Sequence, residues 1–108
     1  MNNANQNEID NAVRAITMSM HPLKIYLFGS HATGTATTDS DIDLCVVAPL
    51  GGMRKIEALQ MMRRAMLSKV NLPIDLLVYD DVDFALRAAL PSTMEHKIAA
   101  NGTVLYEQ

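Results

Sequence analysis

Asp41 and Asp43 stand two residues apart at the start of a run of β-forming residues, 41–47. On a strand their carboxylates leave one face while Ile42 and Leu44 leave the other. Like charges held that close repel unless a cation offsets them, and a hard divalent ion that takes oxygen ligands, such as Mg²⁺, does so best. A third acid, Asp75, interrupts the apolar run 74–79, where a carboxylate is costly without a partner. That partner is either a metal shared with the first pair, if the two strands are neighbours, or an arginine. Upstream, Gly29-Ser30 directly follows the β-prone segment KIYLF. A glycine lets backbone come close to a phosphate, and the N–H groups and hydroxyl of such a turn can bind its oxygens. Three acids and a phosphate-binding turn suit in-line attack on a nucleotide phosphorus, with metal ions stabilising the leaving pyrophosphate and activating the attacking hydroxyl.

The elements that must position these groups follow from periodicity. Ile9, Val13, Ile16 and Met20 form one stripe of an amphipathic helix over about residues 8–20, with Asn7 and Asp10 suited to its N-terminal end. The first seven residues, MNNANQN, are expected to lack fixed structure. Lys24–Phe28 reads as a strand, residues 31–40 as a polar loop with room for one helical turn, and residues 41–47 as a second strand closed by Pro49, Gly51 and Gly52. A methionine-rich helix is expected over 53–70, a third strand over 74–79 and a helix over 82–90 that Pro91 ends. Ser92 and Glu95 have capping-box spacing for a last helix stopping at Asn101-Gly102, and residues 103–106 suit an edge strand. This order predicts one α/β (α+β) domain over 1–108, a small mixed sheet flanked by helices. Met53, Ile56, Leu59, Met61, Met62, Met66, Leu67 and Val70 occupy more of their helix than one core stripe requires, which predicts either leftover apolar surface for docking or dense packing of a small core. Arg54, Lys55, Arg63 and Arg64 are assigned to its solvated side.

The 108 residues are 49% hydrophobic, ample for one core, and carry a formal net charge of −3. That balance argues against a basic surface that binds nucleic acid by neutralising phosphates. An acidic protein that handles a nucleotide therefore needs a local device, a metal or a backbone cradle. The one cysteine, Cys45, sits in an apolar run and permits no disulfide within the chain, which fits a reducing, cytoplasmic setting. No apolar run approaches the ~20 residues that span a bilayer. His21 and His96 are assigned structural or solvated places, Asp39 a loop-end cap or exposed acid, and no His or Cys spacing supports zinc.

Gly29-Ser30-His31-Ala32-Thr33-Gly34, then Ser40-Asp41-Ile42-Asp43-Leu44 and the later Asp75, together resemble the signature of the DNA polymerase β-like nucleotidyltransferases. The short chain resembles the minimal nucleotidyltransferases (MNT) that act as antitoxins beside HEPN-domain toxins. The resemblance implies the polymerase β-like fold and Mg²⁺ held by Asp41, Asp43 and Asp75 as the catalytic acids. It implies nucleotide contacts at Gly29, Ser30, His31 and Ser40, with ATP as the donor. It further implies AMP transfer to a protein hydroxyl, a tyrosine of a cognate HEPN toxin, and a hetero-oligomer with that toxin. Many relatives carry arginines where this chain has His31 and Thr33, so part of the usual positive potential is missing, and His31 is either a phosphate neighbour or an ordinary loop residue. Two alternatives stand beside this reading: a non-catalytic antitoxin that covers its toxin, and nucleotidylation of a small molecule such as an aminoglycoside.

Overall fold

A computed structural model describes residues 3–37 and 41–108. Its elements run α1 (Asn3–Met20), β1 (Lys24–Phe28), α2 (Ser30–Thr33), β2 (Ile42–Ala48), α3 (Lys55–Met66), β3 (Ile74–Asp80), α4 (Asp81–Ala88), α5 (Met94–Asn101) and β4 (Thr103–Glu107). The strands form a mixed sheet in the order β3-β2-β1-β4. β2 and β3 are parallel, with α3 as their crossover, whereas β1 is antiparallel to both β2 and β4.

Period-two alternation sorts the sheet's side chains between two cores. Ile25, Leu27, Ile42, Leu44, Val46, Leu76 and Val78 meet Ile9, Ala12 and Ile16 of α1 and Ala58, Met62 and Met66 of α3 on one face. Tyr26, Cys45, Val47 and Tyr79 meet Phe84 of α4 and Ile98 of α5 on the other. Phe84 anchors this second layer, its ring 5.7 Å from that of Tyr26 and 5.5 Å, edge-on, from that of Tyr79. Burying such a ring contributes about 1.5–3 kcal/mol. Cys45 lies wholly within this layer, and burial pushes its thiol up to about 12, so it is a packing group and not a nucleophile.

Several element ends differ from the sequence-based expectations. α1 begins at Asn3, so most of the segment expected to lack structure is helical. Nothing there breaks a helix, and Gln6 Nε2 donates to Asp10 Oδ1 at 3.0 Å across one turn. α3 is shorter than 53–70. It starts after Arg54, whose N–H is taken by Glu57, and ends where Met66 O accepts the N–H groups of both Lys69 and Val70 in a turn. The cap of α5 is Thr93, not Ser92: its Oγ1 accepts from His96 N at 3.1 Å and donates to Arg87 O at 2.7 Å. With the cap moved by one residue, Glu95 cannot complete the expected box. It turns inward instead, 5% exposed, and pairs with Arg87 at 3.6 Å.

Asp80 joins three elements at the C-terminal edge of the parallel pair. One carboxylate oxygen accepts from Leu50 N at 3.0 Å and the other from Val82 N at 3.3 Å, capping α4. Replacing Asp80 by Ala is expected to cost about 1–2 kcal/mol, seen as a lower urea midpoint at unchanged slope. A midpoint equal to that of the parent protein would show that the cap contributes nothing.

Candidate active site

At the N-terminal end of β2 the alternation turns Asp43 to the same face as Cys45 and Val47, while Ile42 and Leu44 are fully buried on the other face. The registers then set Phe28, Asp43 and Asp75 in one row across β1, β2 and β3. The helices that cover Cys45 and Tyr79 leave this end of the face open, so Asp43 is half-buried and Asp75 exposed.

Gly29 follows Phe28 with φ 74° and ψ −156°, a conformation that disfavours any residue with a side chain. A Cβ added there would collide with the Asp43 carboxylate. The glycine thus serves twice, allowing the turn and letting backbone lie against an acid. Its carbonyl accepts from Ala32 N at 3.1 Å and Thr33 N at 3.2 Å, which winds α2 into a single turn that Gly34 closes in the left-handed region.

The Asp43 carboxyl is raised above the ordinary 3.8, first by burial, then by the charge of Asp75 and a hydrogen bond with it, then by the charge of Asp41, with His31 acting in the opposite sense. Asp41, Asp75 and His31 therefore all lie within electrostatic reach of Asp43. Asp41 is exposed just ahead of β2, and His31 is buried in α2 at 7% exposure instead of lying on an open loop. Asp75 takes part in none of the ion pairs among the described residues, so the arginine-partner alternative has no support in the structure. Ser40 and Asp39 lie outside the described residues. His21 is exposed, and His96 is tied to Ala88 O at 2.8 Å through Nδ1.

Among the described residues no three His, Cys, Asp or Glu side chains form a ready metal cage. The donor set nevertheless suits a hard cation: it is all oxygen, and a positive ion held by Asp43 and Asp75 would offset both the burial and the repulsion that raise Asp43. Sequence reasoning missed Lys97, on α5, which lines a cleft of about 230 Å³ shared with Gly29 and Thr33. Only its place on one helix face with Asn101, four residues on, could have drawn notice. A larger cleft of about 670 Å³, bordered by Arg63, Arg64, Leu67 and Ile74, opens at the end of α3 and holds none of the acids. Ile56 and Met61 of α3 and Leu67 just after it are exposed, so the methionine-rich helix does leave apolar surface.

The nucleotidyltransferase-domain family matches residues 10–106. The chain belongs to that family. Solved structures agree with the domain's fold. A candidate nucleotidyltransferase from Sulfolobus solfataricus is 18% identical, with 94% of this chain and 88% of that chain covered, at a TM-score of 0.59. A toxin-antitoxin structure with AMP-PNP is 24% identical, covering 92% of this chain and 73% of that one, at 0.55. A mutant of the toxin-antitoxin MntA-HpeT is 19% identical, covering 92% and 72%, at 0.53. No curated protein matches significantly. At these identities the structural likeness is one of fold.

The raised Asp43 carboxyl has a consequence for stability in this nucleotidyltransferase domain. The folded state holds that proton more tightly than the unfolded chain does. Its contribution is therefore fully present below the ordinary 3.8 and is lost as pH rises through the raised folded value. Asp43→Asn is expected to flatten that loss and to raise the melting temperature at pH 7. A variant less stable than the parent at pH 7, with the same pH profile, would contradict the repulsion described above.

Proposed function

We propose that this domain transfers AMP from ATP to a protein hydroxyl, a tyrosine of a HEPN-domain toxin, and so acts as the cytoplasmic antitoxin of a toxin-antitoxin pair. The observation that carries the transferase part is the juxtaposition of Asp43 with Asp75, with the Gly29 backbone against the first. Like-charged carboxylates on neighbouring strands are a poor structural solution and a good cation site. Family membership supports the same class of reaction. The donor, the partner and the antitoxin role draw support from the two toxin-antitoxin structures of similar fold, one of them with AMP-PNP.

In this reading Asp41, Asp43 and Asp75 hold Mg²⁺, and Gly29, Ser30, His31 and Ser40 hold the phosphates. Bound Mg²⁺ would neutralise the triphosphate and stabilise the departing pyrophosphate. Asp75, exposed at the rim, receives the proton of the acceptor hydroxyl as its oxygen bonds to the α-phosphorus and the bond to pyrophosphate breaks. The Gly29 turn supplies backbone N–H donors without the bulk of a side chain, and positions the chain of phosphates beside Asp43. The open end of the sheet face lets a macromolecular acceptor bring its hydroxyl to Asp75.

One specific feature favours a second reading. The absence of arginine at His31 and Thr33 suits an antitoxin that only covers its toxin, and the two readings separate cleanly. With labelled ATP, Mg²⁺ and the cognate toxin, label is expected on a toxin tyrosine, and Asp43→Asn is expected to lower the rate at least about 10²-fold and to abolish neutralisation. Neutralisation that survives Asp43→Asn would leave only the steric reading standing.

A further inference from the structure

The proposed nucleotide site is short of positive charge. Asp43 lies against the Gly29 turn with Asp75 beside it on β3 and Asp41 within electrostatic reach, the chain carries a net −3, and the basic groups of the turn are limited to His31. Even with a divalent ion, the terminal phosphates at Gly29-Ser30 call for a further cation.

The described residues narrow where it comes from. Lys24, Arg54 and Arg87 are engaged in ion pairs with Glu107, Glu57 and Glu95. Lys55 lies over the Tyr79 ring, 4.5 Å from its centroid, and Arg63 donates to Ile74 O at 3.4 Å. Arg14 belongs to α1, and Arg64 and Lys69 lie in and just after α3; those helices cover the opposite face of the sheet. Lys97 is in none of the ion pairs among the described residues, and it lines the cleft of about 230 Å³ whose other walls include Phe28, Gly29, Thr33, Ile98 and Asn101.

The placement is firm. Ile98 is 3% exposed in the core next to Lys97. Gly102, at the end of α5, sits so close to β1 that a Cβ there would meet the carbonyl oxygens of Leu27 and Ile98. α5 is thereby held directly against the strand that ends in Phe28 and Gly29. Asn101, one turn beyond Lys97, adds an amide donor on the same helix face.

We propose that Lys97 is a phosphate-binding residue, supplying positive charge to the terminal phosphates of a nucleoside triphosphate held at the Gly29-Ser30 turn. This rests on the nucleotidyltransferase reading above. It makes Lys97 a specificity determinant for triphosphate over monophosphate, because the cleft it lines borders the Gly29 turn and includes none of the acids.

Calorimetric titration with Mg²⁺ and each of ATP, GTP, CTP and UTP identifies the triphosphate that the parent protein binds best, and its di- and monophosphates are then titrated too. Lys97→Ala is expected to weaken triphosphate binding about tenfold and leave monophosphate binding unchanged, with Lys97→Arg restoring most of the loss. Lys69→Ala, which removes the same charge elsewhere, is expected to change neither. Equal triphosphate affinity in the parent and in Lys97→Ala, or an equal loss for mono- and triphosphate, would overturn the role of Lys97 while sparing the wider reading. A parent protein that binds none of the four triphosphates would overturn both.

Discussion

Two carboxylates in adjacent positions of neighbouring strands repel one another, and the pairing of β2 with β3 imposes that arrangement on Asp43 and Asp75. The register that creates it is held by groups on the other face of the strand. Ile42 and Leu44 are completely buried against α1 and α3, so a slip of one residue would drive Asp43 into an apolar core and expose both of them. Burial of two aliphatic side chains contributes several times what exposed like-charge repulsion costs, at about 1.5–3 kcal/mol each. The core therefore wins and the acids remain adjacent. Burial first and that repulsion second raise the Asp43 carboxyl, a local cost that a bound cation would relieve.

How much of this could be read from the chain depended on the range of the interaction. β1 spans the residues expected of it, because Lys24–Phe28 is a run of β-formers bounded by Pro22 and Gly29. Alternation predicts one face for Asp41 and Asp43, but β2 begins at Ile42, so Asp41 lies just before the strand and only Asp43 has its direction set by the pleat. The pairing of Asp43 with Asp75 is different in kind. The sequence shows two apolar strands with an acid in each, but their adjacency arises from a crossover through α3, a contact between distant segments that no local pattern encodes. The burial of His31 is likewise tertiary: Gly29 and Gly34 fold a polar loop segment into a turn of helix, and His31 is buried within that turn. The cap of α5 was misplaced for a local reason, since Ser92 and Thr93 are both good caps and the hydrogen bond from Thr93 to Arg87 O decides between them.

The two helical layers divide stability from access. α1 and α3 cover their face through residues from every strand of the parallel pair, down to Ile42 and Ile74. α4 and α5 bury Tyr26, Cys45, Val47 and Tyr79 on the opposite face and cover Phe28 and Leu77 only in part. The difference leaves Asp43 and Asp75 solid behind and open in front, the arrangement a site needs if a rigid strand is to present charges to a ligand. Burial of Glu95 is consistent with this division. An acid inside the second layer is tolerable because Arg87 of the preceding helix pairs with it, tying α4 to α5 just where neither has a strand's hydrogen bonds to hold it.

The last strand has a role in the site despite carrying none of its acids. β4 pairs with β1 from Leu27↔Thr103 to Lys24↔Glu107, and Lys24 closes that ladder through an ion pair of 3.0 Å with Glu107. Thr103 follows Gly102 at once, so the ladder fixes where α5 must end. Gly102 has φ −71°, a value open to any residue, and it is the closeness of the Leu27 and Ile98 carbonyls that requires glycine. A larger residue there would push α5 away from the end of β1 and widen the gap between the helix and the Gly29 turn. The width of that cleft is thus set by backbone packing at Leu27, one residue from Phe28, and the backbone that carries a cation on α5 inherits the rigidity of the sheet. A cation on the turn would depend on a helix of one turn for its position, whereas one on α5 is fixed by a buried isoleucine and a strand.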